Sequence, residues 1–92
     1  MLRIKYHNQF KKDYKLAIKN GYEKKIFLEV FTLLSEEKIL PPKYKDHPLN
    51  NSKNYKNMRE CHIKPELLLI YKIEEEELLL SLIRTGSHSN LF

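Results

Sequence analysis

The feature that most constrains the fold of this chain is a pair of apolar runs close to its carboxyl end. Residues 67–73 are apolar except for Lys72, and residues 78–83 are almost entirely apolar. Both runs are short and rich in β-favouring residues, which indicates strands. A solvated turn of four glutamates separates them, and the turn Lys64-Pro65-Glu66 separates the first from a strand-like run at residues 55–63. Because only a few residues join the three runs, they predict an antiparallel meander.

The amino-terminal half predicts a strand followed by a helical hairpin. Residues 2–6 alternate apolar and polar side chains, as a short strand does. Asn8 is a candidate N-cap for a first helix, Asn20-Gly21 ends it, and a second helix follows over about residues 22–35. Core positions recur at helical spacing in both: Phe10, Tyr14, Ala17 and Ile18 in the first helix, and Ile26, Phe27, Val30, Leu33 and Leu34 in the second.

This order of elements predicts an α+β fold, with an N-terminal strand and a helical hairpin packed on a small antiparallel sheet. A chain of 92 residues has room for one domain, residues 1–92. Between the hairpin and the meander, residues 43–54 are polar and contain His47-Pro48, and residues 50–54 predict a loop.

The last two strands lack the alternation expected of a sheet with one solvated face. Two helices are few to cover both faces of a sheet. We therefore expect part of one face to be a docking surface for a protein partner. The alternative is hydrophobic crowding around the helices.

Charge is distributed unevenly along the chain. Residues 1–64 carry 15 basic and 7 acidic side chains, whereas residues 65–92 carry 2 basic and 5 acidic ones. A lopsided basic charge favours a polyanionic partner such as nucleic acid or an acidic protein segment. The plainer alternative is that the lysines keep helix faces in solution.

The expected location is the cytoplasm. Cys61 is the single cysteine, so no internal disulfide is possible, which is consistent with a reducing compartment. No apolar run approaches the roughly 20 residues of a membrane span, and the amino terminus lacks the apolar core of a signal peptide. Cys61 has no catalytic-thiol context and is predicted to lie in the core.

Three of the four histidines have polar neighbours and are candidates for chemistry. They occur in Asp46-His47-Pro48, Glu60-Cys61-His62 and Ser87-His88-Ser89, each in a loop or at a strand edge. Any one alone is more often a structural or surface histidine. His47, His62 and Glu66 could converge on a metal ion, but the chain lacks the closely spaced ligand pairs typical of zinc sites, so no metal and no other cofactor is predicted.

Histidines, a carboxylate and arginines without a metal suit RNA cleavage. A base removes the 2′-OH proton, cations stabilise the crowded phosphorane, and an acid protonates the leaving 5′ oxygen. The expected product is a 2′,3′-cyclic phosphate, and DNA should not be cut because it lacks the hydroxyl.

Three polar motifs resemble the YafQ branch of the RelE/ParE superfamily, which comprises toxins of bacterial type II toxin–antitoxin systems. They are Tyr44-Lys45-Asp46-His47-Pro48-Leu49, the stretch from Arg59-Glu60-Cys61-His62 through Pro65-Glu66 to Tyr71, and Arg84-Thr85-Gly86-Ser87-His88-Ser89-Asn90-Leu91-Phe92. The likeness extends over the whole chain, including Phe10-Lys11-Lys12-Asp13-Tyr14 in the first helix.

The resemblance implies a microbial-RNase-like fold, a ribosome-dependent mRNA endoribonuclease and a cognate antitoxin that neutralises it; homo-oligomerisation is not predicted. The catalytic pattern of the branch corresponds here to His47, His62, Glu66, His88 and Phe92. The branch more often has aspartate at position 66, which weakens the case for Glu66 as base.

Roles are assigned to these positions as follows. Glu66 or His62 is the expected base, and His88 is the expected acid. His47, Lys45, Arg59 and Arg84 are expected to bind or stabilise phosphate. Phe92 is expected to stack on a base, with a place in the core as the alternative. A catalytically weak module of the same fold, acting in operon autoregulation, is the runner-up function, and a gyrase poison ranks below it.

Overall fold

The computed structural model describes residues 1–49 and 53–92, so most of the loop predicted at residues 50–54 lies outside it. The described residues form a five-stranded sheet and three helices: β1 (Arg3–Tyr6), α1 (Asn8–Lys19), α2 (Lys24–Ser35), β2 (His47–Pro48), β3 (Arg59–Lys64), β4 (Leu67–Glu74), β5 (Leu79–Gly86) and α3 (His88–Leu91). Short 3-10 turns lie at Pro42–Tyr44 and Glu75–Glu77.

The strand order is β1-β5-β4-β3-β2, with β1 parallel to β5 and the other neighbours antiparallel. The α+β class and the meander of β3, β4 and β5 are therefore confirmed. Two strand boundaries differ from the prediction by more than one residue. β3 begins at Arg59 rather than at residue 55, and β5 continues to Gly86 because Thr85 and Gly86 pair with β4.

The helical hairpin is confirmed, with small corrections at its ends. The residue that caps α1 is His7, not Asn8, and its backbone is extended. α2 begins at Lys24 because the chain first turns through Gly21, whose φ of +102° favours glycine. The predicted apolar positions of both helices pack into one core against the sheet. Within it, the rings of Tyr14 and Phe27 meet edge-to-face at 4.9 Å.

The prediction of a docking surface on the apolar sheet is wrong, because the chain covers both faces itself. Leu68 and Ile70 of β4 are buried on the face opposite α1 and α2. A second core cluster of Leu49, Tyr55 and Leu91 covers them. The prediction failed because a four-residue helix at the carboxyl end gave no periodic signal in the sequence.

No helix in the described ranges, 1–49 and 53–92, is long and apolar enough to cross a membrane.

Candidate active site

The strand register brings two of the three candidate histidines to one face of the sheet. His47 of β2 pairs with Glu60 of β3, and His62 pairs with Leu68 of β4. Residues directly opposite each other on antiparallel strands share a face, and residues two apart on a strand do as well. His47, Glu60 and His62 therefore point to the side of the sheet that carries Leu68. We call this side the histidine face.

A single carboxylate oxygen joins the two rings. Oε1 of Glu60 lies 3.2 Å from Nε2 of His47 and 3.3 Å from Nε2 of His62. Glu60 is only 6% exposed, whereas the side chain of His47 is about half exposed. A nearly buried carboxylate normally needs charged or hydrogen-bonding partners, and the two imidazoles supply them.

The other nitrogen of each ring faces a backbone carbonyl. Nδ1 of His47 lies 3.1 Å from the Pro48 carbonyl oxygen, and Nδ1 of His62 lies 3.3 Å from that of Pro65. Both ring nitrogens thus face acceptors, and a ring that donates at both positions carries two protons and a positive charge. This hydrogen-bond pattern suits two cations flanking one anion.

The third histidine reaches the same face through α3. Leu91 packs on Leu68 and Ile70, and its carbonyl oxygen accepts a 2.8 Å hydrogen bond from the Tyr55 hydroxyl. The sheet side of α3 is therefore anchored on the histidine face. Its exposed side carries His88, whose ring stacks on that of Phe92 at 4.9 Å.

Phe92 is 49% exposed and meets Tyr55 edge-to-face at 5.3 Å. This exposure excludes the alternative that Phe92 fills the core; Leu91 does so instead. An exposed aromatic ring beside a histidine presents a surface on which a nucleobase can stack.

Glu66, the carboxylate predicted from the sequence, has a different neighbour. It is exposed in the turn before β4 and accepts a 3.0 Å hydrogen bond from the Tyr22 hydroxyl. Burial, and then this hydrogen bond, raise the pKa of Tyr22. The carboxylate between the histidines is Glu60, which the sequence reasoning missed. The available signal was the spacing of Glu60 and His62, which places both on one face of a strand.

Both candidate arginines are engaged with carboxylates rather than free for phosphate. Arg84 donates from Nε and Nη2 to Asp13 of α1 at 2.9 and 3.1 Å. Arg59 donates to Asp46 at 3.4 and 2.9 Å. The hydrogen bonds to these aspartates raise the pKa of each guanidinium. Arg59 also pairs with Tyr71, a residue of the helix-side core, so the sheet separates it from the histidine face.

The remaining predicted positions divide between surface and core. Lys45 is exposed two residues before His47, with a left-handed φ of +48°. Cys61 is fully buried on the helix side, as predicted, and burial raises the pKa of its thiol.

The arrangement of His47, Glu60 and His62 also fits a metal ion. One ligand atom from each lies within 4.8 Å of the others. Two imidazoles and one carboxylate are a common donor set for zinc and copper. The sequence prediction paired these histidines with Glu66, and the structure assigns Glu60 to that place.

A family model identifies the family of this chain. A family model described as the bacterial toxin of type II toxin–antitoxin systems, YafQ, matches residues 2–92. This chain belongs to the YafQ family. It is 42% identical over 90 residues to an mRNA interferase toxin YafQ of Escherichia coli strain B, a match that covers 97% of this chain and 94% of that one.

Solved toxin structures share the fold. A metal-bound toxin from Helicobacter pylori has a TM-score of 0.92 and 49% identity, with complete coverage of both chains. The YafQ chain of the Escherichia coli DinJ–YafQ complex has a TM-score of 0.86 and 41% identity, covering 100% of this chain and 99% of that one. The prediction that the chain is a type II toxin of YafQ type is thus confirmed.

Proposed function

We propose that this chain is an endoribonuclease that cuts mRNA through the 2′-OH and so inhibits translation. The observation that carries the proposal is the carboxylate of Glu60 held between two imidazoles on a face that also presents His88 and Phe92. The relatives named mRNA interferase toxins support the same activity.

The reaction needs one group that accepts a proton, one that donates a proton and positive charge for the phosphorane. We assign the base to Glu60, because its carboxylate lies within 3.3 Å of both imidazoles and a carboxylate can accept the 2′-OH proton. His47 and His62 supply positive charge beside the phosphorane. This assignment makes Glu60 the base in place of Glu66 or His62, and gives His62 the role of a cation instead.

His88 donates the proton to the leaving oxygen, since it is exposed and packs on the aromatic ring that would hold a base. The 2′ oxygen bonds to phosphorus as its proton passes to Glu60, and the bond from phosphorus to the 5′ oxygen breaks as that oxygen takes a proton from His88. The products are a 2′,3′-cyclic phosphate and a 5′ hydroxyl.

Substrate binding falls to the basic surface and to Phe92. Lys45 is exposed two residues before His47 and is assigned a phosphate. Phe92 stacks on a base. The engaged arginines, Arg59 and Arg84, are assigned to the scaffold. The wider excess of lysine would dock the toxin on ribosomal RNA, so that mRNA is cut in the cytoplasm on the ribosome.

A cognate antitoxin is the proposed protein partner. Escherichia coli YafQ has been solved in complex with DinJ, and this chain shares its fold. The earlier alternative of a catalytically weak module was based on Glu66. Glu60 supplies a carboxylate next to the histidines and removes that reason for favouring it.

The decisive experiment compares wild type with His88→Ala and Glu60→Gln in bacteria and on purified RNA, with and without ribosomes and EDTA. Wild type should arrest growth and leave cyclic phosphate ends in the presence of EDTA. Both variants should lose these effects by at least about 100-fold. Equal growth arrest by all three proteins would refute the proposal.

A further inference from the structure

A second polar cluster lies on the side of the sheet opposite the histidine face. The Tyr71 hydroxyl and the Arg59 guanidinium both donate to the carboxylate of Asp46. Tyr71 and Arg59 face each other across β4 and β3, and Tyr71 belongs to the helix-side core. We call Asp46, Arg59 and Tyr71 the Asp46 clamp.

Two of the three clamp residues directly precede residues of the proposed site along the chain. Asp46 directly precedes His47, and Arg59 directly precedes Glu60. His47 and Glu60 are themselves paired. Because successive residues of a strand point to opposite faces, a bond between Asp46 and Arg59 on one side fixes the approach of His47 to Glu60 on the other.

β2 is a short edge strand that lies between the buried residues Tyr44 and Leu49. It contains only two residues, both exposed, and its outer side is an edge of the described sheet. After it, the Leu49 amide donates to the Met58 carbonyl at 2.8 Å. On the other side of β2, the hydrogen bonds of Asp46 to Arg59 and Tyr71 hold the chain. A strand this short gains little from its own ladder, so side-chain bonds decide its position.

The clamp itself is rigid. Tyr71 is only 1% exposed, so its ring is fixed by the core, and burial raises the pKa of its hydroxyl, which remains a donor. Arg59 donates hydrogen bonds to both carboxylate oxygens of Asp46. Such a bidentate pair sets orientation as well as distance.

We propose that Asp46, held by Arg59 and Tyr71, is a positioning residue that keeps the His47 ring against Glu60 in the site of the proposed RNase. Asp46 touches neither RNA nor the reacting atoms in this scheme. The inference rests on the proposed function for its kinetic consequence. Its structural consequence, the placement of His47, can be measured without any activity.

The test uses Tyr71→Phe and Asp46→Asn, with Ser81→Ala as a matched control. Tyr71→Phe keeps the buried ring and removes one hydroxyl donor. Ser81→Ala also removes a buried hydroxyl that donates to a carboxylate, but that carboxylate is Glu74, at 2.7 Å, rather than Asp46. Histidine side-chain NMR signals at a fixed pH report on the surroundings of each ring, and steady-state kinetics separate kcat from KM.

Tyr71→Phe should shift the side-chain NMR signals of His47, leave those of His88 in place and lower kcat about tenfold with KM within about twofold. This loss is smaller than the ~100-fold cost of a 1 Å displacement. Asp46→Asn should show larger changes in the same direction. Ser81→Ala should change neither quantity.

Unchanged His47 side-chain NMR signals and an unchanged kcat in folded Tyr71→Phe would overturn the inference. So would a rise in KM alone, which would make Arg59 a substrate ligand. If wild type proves to lack RNase activity, the proposed function fails, whereas the His47 signals still decide whether the clamp positions the ring.

Discussion

The pair of Asp13 and Arg84 tests whether Arg84 binds phosphate, as the sequence suggested, or stabilises the fold. The sequence favoured Arg84 as a phosphate ligand. In the structure, Asp13 accepts hydrogen bonds from Arg84 at 2.9 and 3.1 Å and from the Thr85 amide at 3.2 Å. We therefore expect Arg84 to stabilise the contact of α1 with β5 rather than to bind RNA.

The size of the effect follows from burial. The side chain of Asp13 is 10% exposed and that of Arg84 is 26% exposed. Removing one partner of a fully buried pair costs about 3–5 kcal/mol, and exposed pairs contribute under about 1 kcal/mol. This intermediate pair should lose about 2 kcal/mol of unfolding free energy in Asp13→Ala or in Arg84→Ala.

Urea denaturation followed by circular dichroism measures this loss. With a slope of about 1 kcal/mol/M for a small domain, the midpoint should fall by about 2 M. The double variant should lose much less than the sum of the two single losses, because each single change already breaks the pair. Lys25→Ala is a suitable control, since Lys25 and Glu23 form a largely exposed pair 3.7 Å apart and their separation should cost little.

RNA binding by Arg84→Ala tests the alternative that Arg84 is a phosphate ligand. If Arg84→Ala keeps the wild-type urea midpoint but loses RNA binding, Arg84 is a phosphate ligand and the structural argument fails. A coupling energy near zero in the double-mutant cycle would refute it as well.

Four further predictions concern the site and the two cores. Glu60→Gln should reduce cleavage at least about tenfold more than Glu66→Gln, measured as kcat on one RNA, and equal losses would contradict the assignment of the base. Leu91→Ala should lower the free energy of unfolding by about 2–3 kcal/mol in urea denaturation, because Leu91 is buried. Phe92→Ala should keep the urea midpoint and raise KM for RNA, because Phe92 is exposed. The reverse pattern would place Phe92 in the core. Zinc added in excess should inhibit cleavage by occupying the histidine pair and Glu60, and EDTA should restore it; zinc-stimulated cleavage would contradict the metal-free mechanism. Cys61 should resist alkylation until the chain unfolds, because burial raises the pKa of its thiol; rapid alkylation of the native protein would contradict its burial. The unfolded chain therefore loses the thiol proton at a lower pH than the folded chain does. The free energy of unfolding should consequently fall as pH rises above about 8.5.

The sequence by itself determined the elements whose signals are local. The spacing of Phe10, Tyr14 and Ala17 predicted the core face of α1, and the short connections between apolar runs predicted the meander of β3, β4 and β5. The motifs around the histidines also identified the YafQ family. Helical and strand periodicities and short turns depend on neighbours within a few residues, which a sequence displays directly.

Only the tertiary structure decided which polar groups meet. In the structure, Glu60 contacts His47 and His62, and Tyr22 donates a hydrogen bond to Glu66. Arg59 and Arg84 each pair with an aspartate. In the structure, α3 also packs on the apolar face of the sheet that the sequence predicted to be exposed for a partner. Partners such as Asp13 and Arg84 are 71 residues apart, and their meeting depends on strand register and on how α1 packs, which no local pattern of residue types encodes.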